Sequence, residues 1–116
     1  MDWSIYHNPR CRKSREALAH LEEQGIQPKV IKYLEEVPSR DEMLLTLSKL
    51  GMEPSEILRK NELIFKEKFK GMSFNEDEWL DILLEHPKLI ERPIVVRDHK
   101  AVVGRPLEKV KELVEG

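Results

Sequence analysis

Between Trp3 and Leu34 the chain runs through a β-prone stretch, a proline turn, a helical period, a glycine stop and a second β-prone stretch. No other feature restricts the fold as much. Trp3-Ser4-Ile5-Tyr6 ends at Asn8-Pro9, where proline lacks an amide proton and biases its predecessor away from helix. From Cys11 to Glu23, Ala17, Leu18 and Leu21 recur at helical spacing among charged neighbours, and Gly25 supplies the stop. Val30-Ile31-Lys32-Tyr33-Leu34 is β-branched and aromatic and too short for a helix, which predicts a second strand. The segment therefore reads as a βαβ unit, whose two strands pair in parallel.

Beyond Pro38 the period changes. Ser39 with Glu42 forms a capping box, Met43, Leu44, Leu47 and Leu50 follow at helical spacing, and Gly51 ends the helix. Pro54 and Ser55 open a short helical piece through Ile57 and Leu58. Asn75 with Glu78 caps another helix, which carries Trp79, Leu80, Leu83 and Leu84 to His86-Pro87. Residues 61–73 have weak periodicity and no firm assignment, with Phe65 and Phe69 expected to pack inward. Strand character returns in Ile94-Val95-Val96-Arg97, a turn at Asp98-His99-Lys100, and Ala101-Val102-Val103, the pattern of a β-hairpin. Gly104 breaks it. Pro106 fits the first turn of a last helix whose Leu107, Val110, Leu113 and Val114 make one apolar face. The expectation is one α/β domain over residues 1–116: β-α-β, a helical insert over about 38–87, then β-β-α.

A chain of 116 residues can bury enough surface to fold without a disulfide or structural metal. Its apolar runs fall far short of the roughly 20 residues of a membrane span, so no membrane association is expected. Twenty Lys and Arg against 22 Asp and Glu give a net charge of −2, so any anion site must be local. Lys66, Lys68 and Lys70 are interleaved with Glu62, Glu67, Glu76 and Asp77, which reads as a solvated face, and no nucleic-acid partner is expected. The glycines stand singly, without the Lys-Ser or Lys-Thr pair of a phosphate loop. His20, His86 and His99 lack ligand-like spacing, and no metal is implied. One cysteine and a start without a basic, long-apolar leader suit a reducing cytoplasm.

That one cysteine carries the chemistry. Cys11 stands at a helix start, where free amides and the helix dipole favour thiolate over thiol. Arg10, Arg12, Lys13 and Arg15 surround it with no acid between Asn8 and Arg15, and their field should lower its pKa below about 8.5. Burying so many charges would be costly, so the cysteine is expected to face solvent. Ser14 can turn its hydroxyl toward the sulfur across one helical turn, and His7 lies just before the loop. Such a pocket suits a tetrahedral oxyanion attacked by the thiolate. Cys11 and Arg15 are only four positions apart, which argues against a cysteine-phosphatase loop.

Ile5-Tyr6-His7-Asn8-Pro9-Arg10-Cys11-Arg12-Lys13-Ser14-Arg15, Tyr33-Leu34, Pro38-Ser39-Arg40-Asp41-Glu42, Leu58-Arg59-Lys60-Asn61, His86-Pro87, Arg92-Pro93-Ile94-Val95-Val96 and Gly104-Arg105-Pro106 resemble the glutaredoxin-dependent arsenate reductase family in order and spacing. The resemblance covers nearly the whole chain. It implies a thioredoxin-like fold with a helical insert and an oxidoreductase without a bound cofactor. The implied reaction is thiolate attack on arsenate or another small oxyanion, loss of water, reduction by glutathione and resolution of the mixed disulfide by glutaredoxin.

On this resemblance Cys11 is the nucleophile, and Arg59, Arg92 and Arg105 hold the oxyanion. His7, Asn8, Ser14, Arg15 and Pro93 line or tune the pocket, and the Arg92-Pro93 bond is expected to be cis. A monomer is expected. The chain departs from the well-attested reductases at Arg12-Lys13, where they have Gly-Thr, and at Arg10, where a small residue is common.

Two other readings use the same residues. The Spx group resembles this family in fold and regulates by binding RNA polymerase, commonly through a Cys-x-x-Cys switch; here the second position is Ser14. A glutaredoxin-like thiol protein without arsenate activity would not need the three arginines.

Overall fold

In the computed structural model of the protein, residues 2–116 are described. They divide into two compact units, one made of residues 2–36 with 92–116 and the other of Val37–Glu91.

The first unit is built on a four-stranded sheet in the order β2-β1-β3-β4. β1 (Trp3–Tyr6) is followed by α1 (Arg12–Glu23) and β2 (Lys29–Ile31), which lies parallel to β1. β3 (Ile94–Arg97) runs antiparallel to β1, with Ile5 opposite Val95, and β4 (Lys100–Val103) closes the hairpin. α5 (Glu108–Glu115) completes the unit. This is the thioredoxin-like arrangement. Ile5, Ala17, Leu21, Val95, Val110 and Leu113 form its core, so one sheet face is covered by the apolar stripes of α1 and α5. Ile5, Leu21, Val95 and Val110 are fully buried, each stabilising the fold by about 1.5–3 kcal/mol.

Three boundaries differ from the sequence reading, one being Lys100, which opens β4 opposite Arg97 instead of closing the turn. β2 ends at Ile31, while Tyr33 and Leu34 lie in a turn in which Glu35 and Glu36 donate their amides to the Lys32 carbonyl. β1 stops at Tyr6, so once His7 has donated to the Ile31 carbonyl (2.8 Å) the edge strand has nothing left to pair with. α5 begins at Glu108, two residues after Pro106, because Leu107 is its N-cap.

In the second unit, α2 (Arg40–Leu50) and α4 (Glu76–Glu85) both start at the expected capping boxes, Ser39/Glu42 and Asn75/Glu78. Gly51 ends α2 in the left-handed conformation (φ 67°). Arg40 ties the two helices together through Asp77 (3.0 Å) and Asp81. The buried stripe of α2 is Met43, Thr46 and Leu47, whereas Leu44 is exposed; Thr46 fits inside because its hydroxyl donates to the Glu42 carbonyl (3.0 Å). Residues 61–73 contain α3 (Leu63–Lys68), from which Phe65 is buried and Phe69 half-buried against Trp79, with Phe74 closing the aromatic group. Leu58 is not helical. It forms an antiparallel bridge with Ile90, flanked by bonds from Arg59 N–H to Leu89 O and from Glu91 N–H to Ile57 O.

Candidate active site

Cys11 is the N-cap of α1, with extended backbone (φ −93°, ψ 121°) and its N–H bonded to the Asn8 carbonyl at 2.9 Å. This geometry brings the amides of the first helical turn to the sulfur. Burial pushes the thiol pKa up, but the Ser14 N–H, the Arg92 charge, the Lys13 N–H and a hydrogen bond from Arg92 outweigh it. The net result is a thiol below its ordinary value, a sulfur held toward thiolate.

Three details correct the sequence reading. Cys11 does not face solvent: the residue is only 8% exposed, while Arg10, Arg12, Lys13 and Arg15 remain outside. Successive helical positions point in different directions, so a buried sulfur and exposed cations coexist without burying charge. Nor do those cations' side chains lower the thiol. Arg12 and Lys13 pair with Glu16 at 3.1 and 3.9 Å, and Arg15 donates to the Pro9 carbonyl at 3.0 Å. The depressing charge comes from Arg92, far along the chain.

The third correction concerns Ser14, whose backbone rather than hydroxyl serves the sulfur. Its Oγ lies 2.6 Å from Nδ1 of buried His7 and accepts the Asn8 N–H at 3.0 Å. Burial, then the positive charges of Lys32 and Arg15, lower the His7 pKa against a smaller opposing effect of Glu22, which favours a neutral ring. Assigned from this network, the Ser14 proton goes to Nδ1 and the ring proton sits on Nε2. Asn8 closes the loop, its Oδ1 accepting the Arg10 N–H at 3.0 Å.

At the other side of the unit, the register Ile94↔Val103 puts Arg92-Pro93 and Gly104-Arg105-Pro106 at one end of the β3–β4 hairpin. Arg92-Pro93 is cis, as expected; Arg105-Pro106 is cis as well, which the sequence reading did not include. Gly104 N–H donates to the Pro93 carbonyl at 2.8 Å. A Cβ there would stand 2.8 Å from Val110 Cγ2 and 3.0 Å from Pro93 Cγ, so only glycine allows this approach. Arg92 Nε and Nη1 are buried and have no hydrogen-bond partner, while Arg105 is half-buried and free of ion pairs among the described residues.

Arg59 belongs to the second unit. Its side chain, 13% exposed, pairs through Nη1 with Glu62 and lies with Nε 3.5 Å from Glu91. Sequence reasoning missed both acids, whose only signal was their nearness in the chain to Arg59 and Arg92. No group of three or more His, Cys, Asp or Glu side chains that could hold a metal is found among the described residues. No helix there is long and apolar enough to cross a membrane.

Chemically, the first unit offers a thiolate-biased sulfur, helix-start amides and a guanidinium whose buried donors lack an acceptor. A buried unpaired guanidinium N–H is costly, and a bound oxyanion is the acceptor that would satisfy it.

Comparison with known proteins agrees with this chemistry. Residues 6–113 match the ArsC family. A protein of Escherichia coli (strain K12) described as "Uncharacterized protein YfgD" is 44% identical, the alignment covering 95% of this chain and 94% of that protein. The "Arsenate reductase" of Neisseria meningitidis serogroup A is 41% identical across 95% of this chain and 96% of its own. The solved structure of an arsenate reductase from Vibrio cholerae, 50% identical, matches with a TM-score of 0.91 over 97% of both chains. With the match running from before Cys11 to beyond Arg105, and this likeness extending along almost the whole chain, the protein belongs to the ArsC family.

Proposed function

We propose that this protein is an arsenate reductase in which Cys11 is the nucleophile. The observation that carries the reading is Arg92: its guanidinium lowers the Cys11 pKa while its own Nε and Nη1 stay buried and unpartnered. In the proposed reaction the Cys11 thiolate attacks arsenic, and one arsenate oxygen leaves as water after taking up two protons. Glutathione then attacks the sulfur of the adduct. The S–As bond breaks with its electron pair going to arsenic, which leaves as arsenite, and a Cys11–glutathione disulfide remains. Glutaredoxin opens that disulfide and returns Cys11 as thiolate.

Arg92 and Arg105 neutralise the oxyanion, because guanidinium stays charged and presents paired donors to oxygen. Arg59 is the third oxyanion arginine on the strength of its match to the family motif. His7, Asn8, Ser14 and Arg15 hold the loop, and Pro93 borders the pocket. The chain acts as one domain and as a monomer, in the cytoplasm, where the reducing thiols are found.

The test is glutathione- and glutaredoxin-coupled arsenate reduction by purified protein, with Cys11→Ser and Arg92→Ala beside it. Cys11→Ser should be inactive, and Arg92→Ala should lose about 100-fold in kcat/KM, the typical cost of removing one oxyanion donor. A fully active Cys11→Ser variant would sink the proposal.

A further inference from the structure

The chain has one cysteine, so a disulfide formed on Cys11 can be opened only by a thiol from outside. A cavity of about 380 Å³ opens beside the loop that ends at Cys11. Asn8, Pro9 and Arg10 form one wall, and Lys32, Leu34 and Glu35, from the turn after β2, form the other. It lies outside the carboxyl ends of β1 and β2, the parallel pair, where the connections diverge and α/β sheets leave crevices.

The charged side chains on these walls lack ion-pair partners among the described residues. Of the cations near Cys11, Arg12, Lys13 and Arg15 are taken up by Glu16 and the Pro9 carbonyl. The side chains of Arg10, Lys32 and Glu35 make no hydrogen bond or ion pair among the described residues. Two free cations and one free carboxylate around an opening that also offers apolar Pro9 and Leu34 complement a flexible molecule with two carboxylates, one ammonium and methylene stems. Such a molecule is a γ-glutamyl peptide thiol.

We propose that this cavity is the binding site of the external thiol, Arg10 and Lys32 taking its carboxylates and Glu35 its ammonium. The proposal rests on the thiol chemistry given above for Cys11. The step it governs is joining of glutathione sulfur to Cys11 Sγ. In turnover the glutathione thiolate attacks Cys11 Sγ, the S–S bond forms as the S–As bond breaks, and the electron pair leaves on arsenic; in exchange with a disulfide the Cys11 thiolate attacks, the same S–S bond forms as the S–S bond of the disulfide breaks, and the pair leaves on the displaced sulfur as thiolate.

The experiment runs this exchange from the reduced protein, following the mixed disulfide on Cys11 by intact mass. Two oxidants are used: glutathione disulfide, and bis(2-hydroxyethyl) disulfide, which has the same S–S bond and no charge. The proteins are wild type, Arg10→Glu, Lys32→Glu and, as a control for general electrostatic attraction, Arg12→Glu. Arg10→Glu and Lys32→Glu should each slow reaction with glutathione disulfide at least about fivefold, the scale of a solvent-accessible charge pair. Reaction with the neutral disulfide should not change, and Arg12→Glu should stay near wild type.

Unchanged rates in Arg10→Glu and Lys32→Glu would overturn the site. So would equal slowing with both disulfides, which would place the effect on the sulfur, or equal slowing by Arg12→Glu, which would reduce it to net charge. A wild type that reacts with the neutral disulfide but not with glutathione disulfide would remove glutathione from the proposed reaction as well. Arsenate-dependent protection of Cys11 from alkylation would still test the oxyanion chemistry separately.

Discussion

The Ser14 hydroxyl oxygen lies 2.6 Å from His7 Nδ1 and also receives the Asn8 N–H, so one side chain satisfies two polar groups of the active loop. Ser14→Ala leaves both without a partner at a fully buried position. It should lower unfolding stability by about 1–3 kcal/mol, measured by urea denaturation. The Ser14 N–H that faces the sulfur survives the change, so the Cys11 pKa should remain below its ordinary value; a thiol restored to that value would refute the division of labour between hydroxyl and backbone.

The Arg92 charge lowers the pKa of the thiol. Arg92→Ala should raise the Cys11 pKa, and Arg92→Lys should raise it less, because lysine keeps the charge and loses the fork. The pH dependence of Cys11 alkylation reads this directly. Identical profiles for all three proteins would disconnect Arg92 from the sulfur.

The lowered thiol also links stability to pH. Above the folded pKa and below the ordinary thiol value, the unfolded chain binds more protons than the folded one, so stability rises with pH in that window. The stability difference between wild type and Cys11→Ser should therefore grow in favour of wild type across it and level off above. His7 is lowered too: its contribution is complete above the ordinary imidazole value and is lost as pH falls through the folded pKa. His7→Asn, which can keep a hydrogen bond to Ser14, should flatten the acid side of the stability profile.

Gly104 has no room for a side chain between Val110 and Pro93. Gly104→Ala should cost about 1–3 kcal/mol through overpacking, read from the unfolding midpoint. Because Pro93 follows Arg92 and position 104 precedes Arg105, arsenate should also protect Cys11 less well from alkylation. Unimpaired stability and protection would show that the hairpin end yields freely.

Much of this was written locally in the sequence. The capping boxes at Ser39 and Asn75, the stop at Gly51 and the hairpin turn are set by neighbouring residues; the caps and the stop stand where the sequence puts them, and the turn is one residue shorter because Lys100 pairs with Arg97 in β4. What failed depended on partners distant in the chain. β2 was misplaced because its length is set by where β1 turns away, and Leu58 left the helical pattern to pair with Ile90. The same holds at the site. Cys11 was legible from its place at a helix start, yet the charge that tunes it comes from Arg92 and not from the conspicuous cations beside it. Glu16, just outside the acid-free stretch, already occupies two of those.

The sheet has a consequence for how the molecule is made. The antiparallel partner of β1 is β3, with Trp3 opposite Arg97, so β1 leaves a ribosome long before the strand it pairs with. The unit of Val37–Glu91 is continuous and emerges whole in the interval. Closing so long a loop slows formation of the central pair and leaves the β3-facing edge of β1 unsatisfied during synthesis. The nascent chain can thus hold Cys11 before the strand that follows Arg92 exists, and the sulfur acquires its tuning only after Arg92 and that strand have been made.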